Sequence, residues 1–167
     1  MSGSYVEYKI TGGFNNGLKV YQGKNFLMKS EVFGKYFASD EIHIFGKGKR
    51  LLLKVTQKTS FLKADVYRID FQSDEFKDVN WILKSEINFG DDHRIEFKHS
   101  RFPFFGFPYA KIYHEGAYIG KIKRKNIALD LQYTLFLQEH KLEYLNYILV
   151  HLLVNDSNKS YDHDTGD

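Results

Sequence analysis

The chain reads as a mainly β, antiparallel single domain with one buried apolar helix near its C-terminal side. Short runs of β-branched and aromatic residues recur between polar or glycine-containing breaks. Two glycine-centred tripeptides join neighbouring runs, and a single segment, Leu142 to Val154, breaks the strand rhythm with helical spacing. With 167 residues, 43% of them hydrophobic, there is material for one sizeable core but not two. An aromatic content of 17% separates the chain from a disordered one, although 27% of its residues are charged.

Eleven strand candidates follow in order. They are Tyr5 to Ile10, Leu18 to Tyr21, Phe26 to Phe33, Glu41 to Phe45, Leu51 to Gln57, Val66 to Gln72, Trp81 to Phe89, Arg94 to Lys98, Tyr109 to Tyr113, Tyr118 to Lys123 and Gln132 to Leu137. So many short strands at close spacing predict a sandwich or a closed barrel. Gly46-Lys47-Gly48, between IHIF and RLLLKV, and His114-Glu115-Gly116, between AKIY and AYIGKI, are hairpin turns because glycine accepts the positive φ that tight turns demand. An internal repeat is also visible. FLMKSEV matches WILKSEI, with Lys29-Ser30-Glu31 and Lys84-Ser85-Glu86 identical, a hairpin follows each, and VYRIDF corresponds to QYTLFL.

The segment LEYLNYILVHLLV places Leu142, Leu145, Ile148, Leu149, Leu152 and Leu153 at helical spacing, while Tyr144, Tyr147, Val150 and Val154 cover most of the remaining circumference. Such a helix is buried nearly all round, and at about 20 Å it is too short for a bilayer of about 30 Å. Residues 155–167 hold four aspartates against one lysine, which leaves the first 154 residues at +6. We expect residues 1–154 to form the barrel domain and 155–167 a disordered acidic tail. No run of about 18 apolar residues exists, and Met1 to Phe14 has no apolar core of a secretory signal, so a cytoplasmic location without a membrane span is expected. The absence of cysteine excludes disulfides, thiolate metal sites and cysteine nucleophiles.

The strongest chemical feature is basic. Residues 42–64 contain Lys47, Lys49, Arg50, Lys54, Lys58 and Lys63 with no acid, and residues 117–129 contain Lys121, Lys123, Arg124 and Lys125, again with none. Strand alternation sends Arg50, Lys54 and Lys58 to one face and likewise places Lys121, Lys123 and Lys125 together. Such rows gather anionic head groups, each near-surface charge adding about 1 kcal/mol at an anionic membrane. The competing reading is a solvated exterior whose lysines protect strand edges. Gly46-Lys47-Gly48-Lys49 is neither a phosphate loop nor a dinucleotide fingerprint, since no strand-to-helix context follows it.

Phe102, Phe104, Phe105, Phe107 and Tyr109, punctuated by Pro103, Gly106 and Pro108, form the most unusual stretch. Exposed, it is a partner patch; buried, it is an irregular connection plugging one end of the fold. No nucleic-acid module signature accompanies these aromatics, so nucleic acid is a minor alternative. The histidines at 43, 93, 99, 114, 140, 151 and 163 show no paired metal-ligand spacing, and no metal or cofactor is expected. His151, inside the apolar helix, reads as a core histidine with one hydrogen-bond partner. No nucleophile elbow, kinase motif set or spaced carboxylate pair is present, which speaks against an enzyme.

Ile42 to Lys58 (IHIFGKGKRLLLKVTQK), Ala110 to Lys125 (AKIYHEGAYIGKIKRK) and Tyr144 to Val154 (YLNYILVHLLV), in this order, resemble the tubby C-terminal-like superfamily. The similarity is to its bacterial members, which group with the plant LURP-one-related proteins and resemble phospholipid scramblases, and it covers about Tyr21 to Val154. The resemblance implies a closed antiparallel β-barrel of about twelve strands around the final apolar helix. Animal tubby domains bind phosphoinositide head groups on a basic face and scramblases act at membranes, but no head-group contact motif matches here residue by residue. The expectation is therefore a non-enzymatic module, peripheral to the inner face of the membrane, that holds anionic lipid through Lys47, Lys49, Arg50, Lys54, Lys58, Lys121, Lys123, Arg124 and Lys125. The alternative is a protein-interaction or stress-response scaffold using residues 102–109. A small-ligand carrier or an enzyme would need an internal cavity that the implied helix fills.

Overall fold

The computed structural model describes residues 4–12, 17–35, 38–58, 66–101, 108–125 and 131–157. Twelve strands follow one another: β1 (Tyr5–Gly12), β2 (Leu18–Gln22), β3 (Asn25–Lys35), β4 (Ala38–Gly46), β5 (Leu51–Lys58), β6 (Val66–Gln72), β7 (Val79–Leu83), β8 (Glu86–Phe89), β9 (His93–His99), β10 (Ala110–His114), β11 (Ala117–Lys125) and β12 (Leu131–Gln138). Each pairs antiparallel with its sequence neighbours, and β12 pairs with β1 from Tyr5↔Gln138 to Gly12↔Leu131, so the sheet closes into an up-and-down barrel. Gly48 at φ 68° and Gly116 at φ 79° make the two turns that their sequence positions require.

Alternation fills the interior. Tyr8 and Ile10, Ile42 and Ile44, Leu53 and Val55, Ile95 and Phe97, and Tyr133, Leu135 and Leu137 are all buried, while the residues between them face outward. Through the lumen runs α1 (Leu145–Ser157), entered by a 3₁₀ segment over Glu139–Tyr144. Residues Ile148 to Val154 of α1 are buried without exception. The helix touches β2, β3 and β4 on one wall and β8 on the other, and His151 stacks on Phe97 of β9 at 3.6 Å. Since β3 and β9 lie six strands apart in either direction, α1 is surrounded. Its lack of a polar face follows: each fully buried Leu or Ile contributes about 1.5–3 kcal/mol, and every face has a wall to bury against.

The helix carries a few polar groups, and these have partners on the walls. His151 Nε2 lies 2.9 Å from the Leu83 carbonyl oxygen, as expected of a core histidine. The Tyr147 hydroxyl donates to Asp78 at 2.8 Å, and the Tyr109 hydroxyl donates to Asp156 at 3.1 Å. Ser157 Oγ donates to the Leu153 carbonyl and lies 2.5 Å from Ser30 Oγ of β3.

Most strands extend a residue or more beyond their expected bounds, and larger differences occur in the Trp81 to Phe89 run and at both ends of the helix. The run Trp81 to Phe89 is two strands, β7 and β8, because the chain turns at Lys84-Ser85. Lys29-Ser30-Glu31 lies within one continuous strand and Lys84-Ser85-Glu86 spans a turn, so this part of the repeat is not structural. The β4–β5 and β10–β11 hairpins, followed by β6 and β12, do recur at a six-strand offset. The helix begins at Leu145 rather than 142, leaving Leu142 38% exposed in the 3₁₀ segment. It also continues through Asn155, Asp156 and Ser157, since the barrel wall supplies the hydrogen bonds that let Asp156 and Ser157 be buried. The rest of the expected tail, 158–167, lies outside the described residues.

Candidate anionic-surface site

The two basic rows lie on opposite walls. β5 and β11 are six strands apart whichever way the barrel is traversed, so one flat surface cannot engage both. They also differ electrostatically. Lys54 of β5 forms an ion pair with Glu41 at 2.9 Å, and Arg50 forms one with Glu75. Lys47 and Lys49 sit exposed on the turn between β4 and β5. Lys47 and Arg50 line a cleft of about 380 Å³ together with Glu75 and the start of α1. Lys58 is the last residue of β5, and its side chain lies outside the described residues.

On the other wall Lys121, Lys123 and Lys125 alternate outward along β11, since Ile122 between them is buried. Registration adds two lysines that strand alternation alone does not bring in. Lys111 of β10 is directly opposite Lys121, and Lys98 of β9 is directly opposite Lys111. Three ammonium groups thus stand in one row across three strands, with Lys123 and Lys125 continuing along the third. None of the five forms an ion pair among the described residues. Two acids share this face: Glu96, held by Arg94 at 2.9 Å, and Glu7 of β1, which stands across Phe136 from Lys121. Like charges directly opposite one another across a ladder repel, so this arrangement costs stability until counter-anions arrive.

Aromatic rings border the lysines. Lys121 and Lys123 each lie 5.6 Å from the centroid of Phe136, which faces out from β12, and Lys98 lies 4.5 Å from that of Tyr113. Tyr113 meets Tyr118 edge to face at 5.8 Å. Burial, followed by the charge of Tyr5 and a hydrogen bond with it, pushes the Tyr118 hydroxyl up to about 12. Tyr118 therefore stays neutral at physiological pH.

Arg124 departs from the expected set. It pairs with inward-facing Tyr133, lies half-buried with its guanidinium 6.0 Å from that ring, and so belongs to the barrel interior. Tyr109 is also corrected as a partner contact: it is 8% exposed and bonded to Asp156. Phe102, Phe104, Phe105 and Phe107 lie outside the described residues. At the mouth of the barrel, β9, β10 and the following turn bring His93, His114 and Glu115 together; this is the metal-competent cluster among the described residues.

No protein-family model matches this chain, and no curated protein is significantly similar to it. No described helix is long and apolar enough to cross a membrane.

Proposed function

We propose that the chain is a non-enzymatic, tubby-like barrel that attaches peripherally to an anionic phospholipid surface through Lys98, Lys111, Lys121, Lys123 and Lys125. The observation that carries this reading is the cross-strand row Lys98↔Lys111↔Lys121, in register and without a carboxylate partner among the described residues. Edge protection does not account for it, because a closed barrel has no free edge. A lipid surface fits better than a small anion: the lysines spread along a wall, Tyr113 and Tyr118 beside them have the amphipathic character favoured at the head-group level, and Phe136 adds apolar surface. Membership of the LURP-one-related and scramblase-like group is part of the same proposal, supported by the order of two glycine hairpins and a helix threaded through the barrel. The filled lumen favours a binding module over an enzyme or carrier.

Co-sedimentation with phosphatidylcholine vesicles, with and without phosphatidylserine, across a salt series tests it. Three neutralised lysines at about 1 kcal/mol each predict about 100-fold weaker binding for Lys98→Gln/Lys111→Gln/Lys121→Gln. Lys54→Gln, on the far wall and already paired, should bind like wild type, and salt should weaken all binding. No binding to anionic vesicles at low salt, or equal binding by the triple variant, sinks the proposal. So does a triple variant that loses single-stranded RNA binding while its vesicle binding is unchanged.

A further inference from the structure

The mouth of the barrel holds a second arrangement, independent of the lysine wall. His93 opens β9, His114 closes β10, and Glu115 follows in the turn to β11. His93 Nδ1 is 2.8 Å from Glu115 Oε1, His114 Nε2 is 3.7 Å from the same oxygen, and the three ligand atoms all fall within 4.8 Å of one another. A tetrahedral ion with ligands at about 2.0–2.1 Å holds its donors about 3.3 Å apart, so small side-chain rotations convert this cluster into a ligand set.

His114 supplies the decisive observation. It is 7% exposed, and its Nε2, aimed at the cluster, makes no hydrogen bond among the described residues. A buried ring nitrogen without a hydrogen bond is uncommon and calls for a partner. The ring is fixed rather than loose: it stacks on Tyr144 at 4.2 Å, while His93 stacks on Phe89 at 5.9 Å. Glu115, His93, and Lys141 and Glu143 of the segment before α1 are the charged or titratable groups that reach His114. His93 and Glu115 are more than half exposed, so one coordination position faces solvent.

We propose that His93 Nδ1, His114 Nε2 and Glu115 Oε1 bind a divalent transition-metal ion of the zinc class, with water completing the coordination. Two imidazoles and a carboxylate suit zinc, and the lack of any sulfur donor disfavours softer monovalent ions. The bound ion joins β9 to the β10–β11 turn beside the segment that leads the chain into the lumen.

Cobalt(II) titration of the full chain, followed by visible absorbance and competed with zinc(II), is the test. Wild type should bind one equivalent with the intense bands of a four- or five-coordinate ion, and zinc should displace it. His93→Gln and Glu115→Gln alter exposed side chains, should fold like wild type by circular dichroism, and should each weaken binding at least 10-fold. His43→Gln, which removes the other His–Glu pair on β4, should leave binding unchanged. The proposal is overturned if wild type binds no cobalt at millimolar concentration. It is equally overturned if His93→Gln and Glu115→Gln bind as wild type does, or if His43→Gln weakens binding as much as they do.

Discussion

Replacing Ser30 by alanine removes one oxygen from the contact between barrel and helix. Ser30 is fully buried in β3, where its Oγ accepts the Leu18 backbone N–H at 2.9 Å and meets Ser157 Oγ at 2.5 Å. Alanine preserves the shape nearly unchanged, so the loss is one of polar satisfaction. The buried Leu18 donor loses this acceptor, which costs about 1–3 kcal/mol, whereas Ser157 keeps its bond to the Leu153 carbonyl. Ser157→Ala removes the hydroxyl–hydroxyl contact together with the bond to the Leu153 carbonyl within the helix, leaves the Leu18 donor its acceptor, and should cost about 1 kcal/mol. At about 2–4 °C per kcal/mol for a chain of this size, Ser30→Ala should lower Tm by about 2–12 °C and Ser157→Ala by about 2–4 °C. Calorimetry on the two variants and the double variant measures the coupling, which should be close to 1 kcal/mol because the residues share one bond. A Ser30→Ala shift below about 1 °C, or strictly additive effects, would refute the reasoning that this contact ties the helix end to the wall.

Other expectations follow from single positions. Gly120 sits where β11 closes on β12, and a Cβ there would lie 2.5 Å from the Phe136 carbonyl oxygen, so Gly120→Ala should cost about 3 kcal/mol in urea unfolding. Leu149→Ala, inside the lumen, should cost about 2–5 kcal/mol, whereas Leu142→Ala, outside the helix and exposed, should stay within about 0.5 kcal/mol; the reverse order would place the helix wrongly. Burial and the hydrogen bond to Asp78 push the Tyr147 hydroxyl up to about 12. The folded state therefore favours neutral Tyr147, and its contribution is complete below the ordinary phenol value of about 10 and declines as pH rises from there to about 12. Tyr147→Phe should accordingly be less stable than wild type at pH 7 but show a shallower loss of Tm between pH 10 and 12.

The fold was legible where single residues carry the geometry. Gly48 and Gly116 mark turns that few other residues make, and alternation along IHIF or KIKRK assigns faces without reference to any neighbour. The Lys84-Ser85 turn has no glycine, proline or asparagine to announce it, so WILKSEI read as one strand. The helix ran past its apolar stretch because Tyr109 and Ser30, remote in sequence, supply hydrogen-bond partners to Asp156 Oδ1 and Ser157 Oγ. The lysine row could be only half seen: Lys121 is placed by its own strand, but its alignment with Lys111 and Lys98 depends on register across two ladders. The histidine cluster was hidden for a related reason, since His93 and His114 approach only because adjacent strands end at the same mouth of the barrel.

The order of elements along the chain also orders its assembly. During synthesis all twelve strands emerge before the segment that occupies their centre, and the seam between β1 and β12 joins the most distant of them. Until that seam forms, the wall is an open sheet with two unpaired margins and an apolar inner surface in contact with water. Helix docking and seam closure each need the other: the helix has no other apolar environment, and the wall has nothing else to fold around. Folding should therefore be a late, concerted and slow event governed by distant contacts, and a chain lacking α1 should aggregate rather than form a hollow barrel.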